Sequence, residues 1–498
     1  MNVNPITRLD YPDPDVIRVE DTYYMVSTTM HFMPGCEILQ SFDLVHWEHV
    51  TYVYETLDHT DAQQLKSGQN IYGQGMWAAS LRYHEGRFYI CFVANDTRKT
   101  YLYTSEKIDG PWKKQLIEGF YHDGSLLFDE DGRNYIVYGN DEIWITELNE
   151  DLTAPKKDGL HRLLVSDHKN PELGYEGSHI QKINGYYYIF LIHSLRDRWM
   201  RTEACFYSDS LEGEFTGGDV LCDDRGYCGQ GVAQGGIVDT PDGKWYAMLF
   251  QDSGAVGRIP ILLPVTWKDH FPFFGQNGHV PEEIEVHSTR PGYIYQPLVG
   301  SDDFCNGLLP RWQFNHDPDP RYYHLDALQG TYTITTREVC TELTQAVNTL
   351  TQRMSYPSCA AEVTFDASAL KEGDVAGLCA LQGCYAAVGI TKHHGKYEVL
   401  MLDKKEDGIL DMTEGTVVES HQMDFRLEAD FCNMKDEARC YYRVNKGDWL
   451  PIGTVHKLYF KLDHFTGCRF GLFCYAAEET GGSACFRDFK YYDVDEIS

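Results

Sequence analysis

A hairpin with one signature returns five times along the first half of the chain: VEDTYYMVST (19–28), HEGRFYICFV (84–93), EDGRNYIVYG (130–139), INGYYYIFLI (183–192) and PDGKWYAMLF (241–250). Each is a tight acidic or glycine turn followed by aromatic and apolar residues of high β propensity. The aligned tyrosines are Tyr24, Tyr89, Tyr135, Tyr188 and Tyr246, spaced 65, 46, 53 and 58 residues apart. A second element follows several of them, a Ser, a short turn and then Trp or Phe, in SFDLVHW (41–47), SEKIDGPW (105–112) and SDSLEGEF (208–215). Helical periodicity is nearly absent. Repeated units of about fifty residues, each supplying several short strands, predict an all-β chain that begins with a five-bladed β-propeller. An elongated β-sandwich would not need such regular spacing.

The signature stops near residue 300, after PGYIYQPLVG. Alternating strands without the hairpin pattern then run to FRDFKYYDV, and this texture predicts a second domain, an antiparallel β-sandwich. The expected division is a propeller over 1–298 and a sandwich over 299–498.

Composition narrows the partners. With 43% hydrophobic residues among 498, a sizeable core can be buried. A formal net charge of −32 argues against nucleic acid and anionic membrane surfaces, which need clustered Lys and Arg. No apolar run approaches the roughly 18 residues of a membrane-crossing helix. The opening MNVNPITRLDYPDPDV carries neither a basic nor an apolar leader region, so a cytoplasmic location is expected. The 15 cysteines are odd in number and form no paired CxxC, which suits free thiols. A homo-oligomer is compatible with all of this.

In a propeller the innermost strand of each blade lines the central axis, so equivalent positions converge there. Twelve residues before the aligned tyrosines stand Trp77, Asp123, Glu176 and Gln234; in the first unit, one residue shorter, Asp13 stands eleven before Tyr24. Taken singly, Asp13 in YPDPDV and Asp123 in YHDGS read as turn residues, and Glu176 as a solvated or paired charge. Three carboxylates at one repeat position read differently. Crowding raises at least one of their pKa values, and carboxyl pairs with divergent pKa values are what acid/base chemistry requires. A Ca²⁺ site is the competing reading, although hard-cation ligands usually sit close together on one loop.

At these residues the chain resembles glycoside hydrolase family 43, five-bladed propeller enzymes acting on xylan and arabinan. The matching stretches are NPITRLDYPDPDVIRVEDTYYMVST, MWAASLRYHEGRFYICF, HDGSLLFDEDGRNYIVYG, YEGSHIQKINGYYYIF and residues 231–275. The C-terminal part is similar to the concanavalin-like jelly roll that many members carry, most recognisably in LTQAVNTLTQRM (343–354). The resemblance implies Asp13 as general base, Glu176 as general acid, and Asp123 as the residue that orients the acid and keeps it protonated near neutral pH. It implies sugar contacts from Trp77, Gln234 and Arg258, with Phe32 as an aromatic wall. Gln234 stands where a number of relatives have an axial histidine associated with a buried cation, so no axial metal is expected and no cofactor is required; a structural calcium elsewhere stays open.

The family's chemistry is inversion at the anomeric carbon, and its substrates would be xylo- or arabino-oligosaccharides, cleaved from the end by a β-D-xylosidase or α-L-arabinofuranosidase. The second domain is expected to close one side of the pocket. A silent sugar-binding propeller is the alternative, and it would be supported by a missing carboxylate; all three are present.

Overall fold

The structure is a computed structural model that describes residues 3–462 and 464–493. Five four-stranded antiparallel sheets follow one another in sequence, each in simple neighbour order, and form the blades of the propeller. Their inner strands are Asp15–Val19, Met76–His84, Ser125–Phe128, Glu176–Ile183 and Ile237–Asp239. The five repeated tyrosines all lie on the second strand, opposite Ile17, Arg82, Leu127, Gln181 and Val238.

The near-constant count between tyrosine and axial residue arises in two ways. Blades 2 and 4 turn on Glu85-Gly86 and Asn184-Gly185, where both residues have positive φ, as a tight hairpin turn demands. These blades place their extra residue in a bulge of the inner strand, between Met76 and Ala79 and between Glu176 and His179. Blades 3 and 5 have regular inner strands and longer turns, closed by Asp129 N–H to Arg133 O and Thr240 N–H to Lys244 O, each at 2.9 Å. The bulges re-aim a side chain at the end of a strand, a common use of the device.

A buried polar ring ties the inner strands together. Asp15 of blade 1 accepts from Leu81 N–H at 2.7 Å and Arg82 Nη1 at 2.8 Å on blade 2, and its other oxygen meets His179 Nδ1 of blade 4 at 3.1 Å. Arg82 also donates to Ser125 Oγ and the Leu126 carbonyl of blade 3. The N-terminal segment closes the ring: Asn4 bonds both ways with Leu262, and Ile6 N–H donates to Pro260 O.

The second domain packs a seven-stranded sheet against a nine-stranded one, with Leu378, Val388, Phe425, Leu427, Phe470 and Leu472 in the core between them. The larger sheet takes in the propeller strand Phe32–Met33, which pairs with Gln313–Asn315. The two domains therefore share backbone hydrogen bonding as well as side-chain contacts. All fifteen cysteines are free thiols.

Burial alone would raise the Asp15 pKa, but Arg82 and His179 outweigh it and hold the carboxyl at about 2. A depressed acid stabilises the fold above its unfolded pKa and loses that contribution only as pH falls toward 2. Arg82→Met takes the guanidinium from the buried Asp15 carboxylate and leaves it only His179 and the Leu81 N–H. The expected cost is about 3 kcal/mol of stability at neutral pH, read by denaturant unfolding, with the difference from the parent shrinking in strong acid.

Candidate active site

Asp13, Trp77, Asp123, Glu176 and Gln234, one from each blade, all line one pocket of about 170 Å³ at the end of the axis where the inner strands begin. Local backbone explains how. Asp13, Asp123 and Gln234 sit just ahead of their strands in the left-handed region, with φ of 52°, 48° and 59°, so the chain doubles back and presents each side chain inward. Beside Glu176 the strained position falls on Gly177, with φ of 65°. A Cβ there would lie 2.7 Å from the Gln234 side chain, so only glycine lets blades 4 and 5 approach.

Asp13 is held from two sides. Arg258 Nη1 donates to Oδ1 and Thr28 Oγ1 to Oδ2, both at 2.6 Å. Arg258 reaches Asp252 as well, and Arg201 pairs with the other Asp252 oxygen, so two guanidinium groups bracket one buried carboxylate. Gly177 N–H donates to Asp123 Oδ2 at 3.0 Å, linking blade 3 to the backbone that carries Glu176. Gln234 N–H donates to Glu203 Oε2 at 2.7 Å, and burial pushes the Glu203 carboxyl well above the usual range.

Glu176 keeps 22% of its side chain exposed. Its Oε2 accepts from Asn140 Nδ2 at 2.7 Å and lies 3.4 Å from His122 Nε2, which is also 3.5 Å from Asp123 Oδ2. Burial works against charge on His122, but Asp123 and Glu176 push its pKa up to about 9, making it an imidazolium at neutral pH. Burial raises Asp123 to about 6, reinforced by the charges of Glu176 and Asp13 and opposed by His122. Burial also works to raise Glu176, yet the His122 contact, Arg201 and Arg258 outweigh it and hold Glu176 below its ordinary value. The expectation that Asp123 keeps Glu176 protonated is thus corrected for the free pocket. Burial keeps the proton preference on Asp123, while His122, Arg201 and Arg258 hold Glu176 low.

Phe32 is a second correction. It does not line the pocket; it is buried between the domains with the Arg469 guanidinium 3.5 Å above its ring. Its strand has joined the sandwich sheet, which carries the side chain away from the axis. The aromatic wall comes from Phe465 of the second domain, edge-on to Trp77 at 5.2 Å and 4.0 Å beneath the Arg258 guanidinium. Leu462 of the same segment also lines the pocket, as do Ala78, Leu173, Trp199 and Arg201 from the propeller. Trp77, Gln234 and Arg258 line the pocket. His122 was the one missed group with a local signal, because it adjoins Asp123; Phe465 lies hundreds of residues away and outside the repeat.

Carboxylates from separate blades, set with arginines and aromatic walls around a space fit for a sugar ring, define a glycoside-cleaving propeller. The chain belongs to glycosyl hydrolases family 43, whose profile matches residues 3–272, and residues 301–492 match the beta xylosidase C-terminal concanavalin A-like domain. It is a glycoside hydrolase of the group whose members are named for xylosidase and arabinofuranosidase activity. A beta-xylosidase of Formosa agariphila is 27% identical over 99% of this chain and 89% of its own. A non-reducing end alpha-L-arabinofuranosidase of Bacteroides ovatus is 25% identical over 66% and 63%. The structure of a bifunctional GH43-CE protein of Bacteroides eggerthii superposes with a TM-score of 0.92 at 42% identity; this chain is covered in full and spans 64% of that one.

Asp123, raised to about 6, gives up its proton as pH rises through that value, and with Glu176 held below its ordinary value the pair is then unprotonated. kcat/KM for an oligosaccharide should therefore fall above that pH, as the population holding this proton declines. Asp123→Asn removes an anion that favours protonation, so Glu176 ionises more easily and the alkaline limb should move to lower pH. A pH–rate profile of the two proteins checks both shifts.

Proposed function

We propose that this chain is an inverting, exo-acting glycosidase that releases terminal β-D-xylose or α-L-arabinofuranose from xylan- or arabinan-derived oligosaccharides. The observation that carries the reading is the meeting of Asp13 and Glu176, from different blades, in one small pocket walled in part by the second domain. The names of the relatives support both pentoses, which are similar in size and in the placement of their hydroxyls.

Asp13 takes the part of the base. Arg258 and Thr28 fix the orientation of its carboxylate, in position to draw a proton from a water on one face of the sugar. Glu176 donates a proton to the departing glycosidic oxygen on the other face. Inversion requires the two carboxyl groups to stand roughly 6.5–9.5 Å apart, so that a water fits between base and anomeric carbon. A bound sugar also covers the exposed part of Glu176, and the added desolvation shifts the shared proton from Asp123 toward the acid. Each step draws on side chains and water, and no cofactor is assigned to it.

The walls support exo action. Phe465, Leu462 and Trp199 surround a space suited to one pentose ring, and the chain of the substrate leaves by the open side. Such a cavity recognises an end and excludes an internal segment.

Glu176→Ala should keep the fold and lower turnover of xylobiose by about 10³-fold, the scale of general-acid catalysis. An aryl xyloside with a very good leaving group needs less protonation and should lose far less. Hydrolysis of xylobiose at the parental rate would refute the assignment of the acid.

A further inference from the structure

The two oxygens of Glu176 are not equivalent. Oε2 faces Asn140 Nδ2 at 2.7 Å and His122 Nε2 at 3.4 Å, while Oε1 has no hydrogen-bond partner among the described residues. An amide N–H and an imidazolium N–H are both donors, and a carboxylic O–H on Oε2 would point hydrogen at hydrogen. The His122 ring is itself held: its carbonyl accepts from Gly139 N–H at 3.0 Å, its edge meets Trp77 with ring centres 6.0 Å apart, and Nε2 also reaches Asp123 at 3.5 Å.

We propose that His122 is a positioning residue: with Asn140 it engages Oε2 of Glu176 as a lasting acceptor, so that the proton passed to the leaving oxygen is carried on Oε1. When that proton departs, the new carboxylate already lies beside the imidazolium, and the charge that develops during bond cleavage meets a preorganised partner. The stretch HDGSLLF thus supplies two functions from adjacent residues. Asp123 grips the backbone of blade 4 through Gly177, and His122 grips the side chain of Glu176.

The charged groups facing the ring are Asp123 from its own segment, Glu176 from blade 4 and Asp13 from blade 1. Arg201 and Arg258 act on Glu176 in the same sense as His122. Removing the imidazolium therefore weakens, without abolishing, the pull that holds Glu176 low, and the acid keeps its proton to higher pH.

The inference rests on Glu176 being the general acid, and the test separates the two. kcat/KM for xylobiose is measured against pH for the parent, His122→Leu and His122→Gln, with circular dichroism to establish folding. His122→Leu should lose about 100-fold through a misplaced acid. Its alkaline limb should rise by about one pH unit, because a neighbouring positive charge is gone. His122→Gln restores a donor without the charge, so most of the rate should return while the limb stays raised. Folded variants whose limbs stay in place, a Gln variant as slow as the Leu one, or a Leu variant at the parental rate would each overturn the proposal. Retained xylobiose hydrolysis by Glu176→Ala would instead overturn the acid assignment on which it stands.

Discussion

Buried negative charge at the propeller axis must be matched by buried positive charge, and most of the molecule's polar interior answers that demand. Asp13, Asp15, Asp123, Glu203 and Asp252 all lie out of solvent. Leaving any ionised one unpaired would cost several kcal/mol. Arg258, Arg201 and Arg82 meet Asp13, Asp252 and Asp15, His122 lies beside Asp123 and Glu176, and burial pushes the Glu203 carboxyl well above the usual range, toward its neutral form. The two aspartates that flank Pro14 divide the labour: Asp13 belongs to the pocket, Asp15 to the ring that holds the blades together.

The same logic couples the domains. Asp10, pushed up to about 6 by burial, accepts from Arg258 N–H at 2.8 Å and from Gly467 N–H at 2.7 Å. One carboxyl group thereby links the strand that begins with Arg258 to the segment that carries Phe465. Cys468 N–H donating to Ala255 O at 2.8 Å repeats the link, one residue after Gly467 and three before Arg258. The wall of the pocket and the arginine that pairs with Asp13 are built as one unit, although they come from different domains.

The propeller and its converging residues were legible because repetition is a constraint that sequence carries directly. Five blades in one ring need inner strands at equivalent places, so counting back from Tyr89, Tyr135, Tyr188 and Tyr246 lands on the axis even where a bulge in one blade replaces a longer turn in another. Phe465 and Leu462 obey no repeat, and only the packing of the sandwich on the propeller brings them to the pocket. Phe32 shows the converse. Its neighbours in sequence lie near the axis, but its own strand hydrogen-bonds with Gln313–Asn315 and follows the other domain. The proton balance was misread for a related reason: the sign of the field at Glu176 depends on His122, Arg201 and Arg258 together, and three charges from three blades cannot be summed from one motif.

In the proposed mechanism Asp13 and Glu176 work from opposite faces of the bound sugar, with a single water between base and anomeric carbon. Proton NMR of the first sugar released from a β-linked xylo-oligosaccharide, recorded before mutarotation, tests it most directly. An inverting enzyme releases α-xylose first, and the β anomer grows in later. Prompt appearance of β-xylose would contradict it.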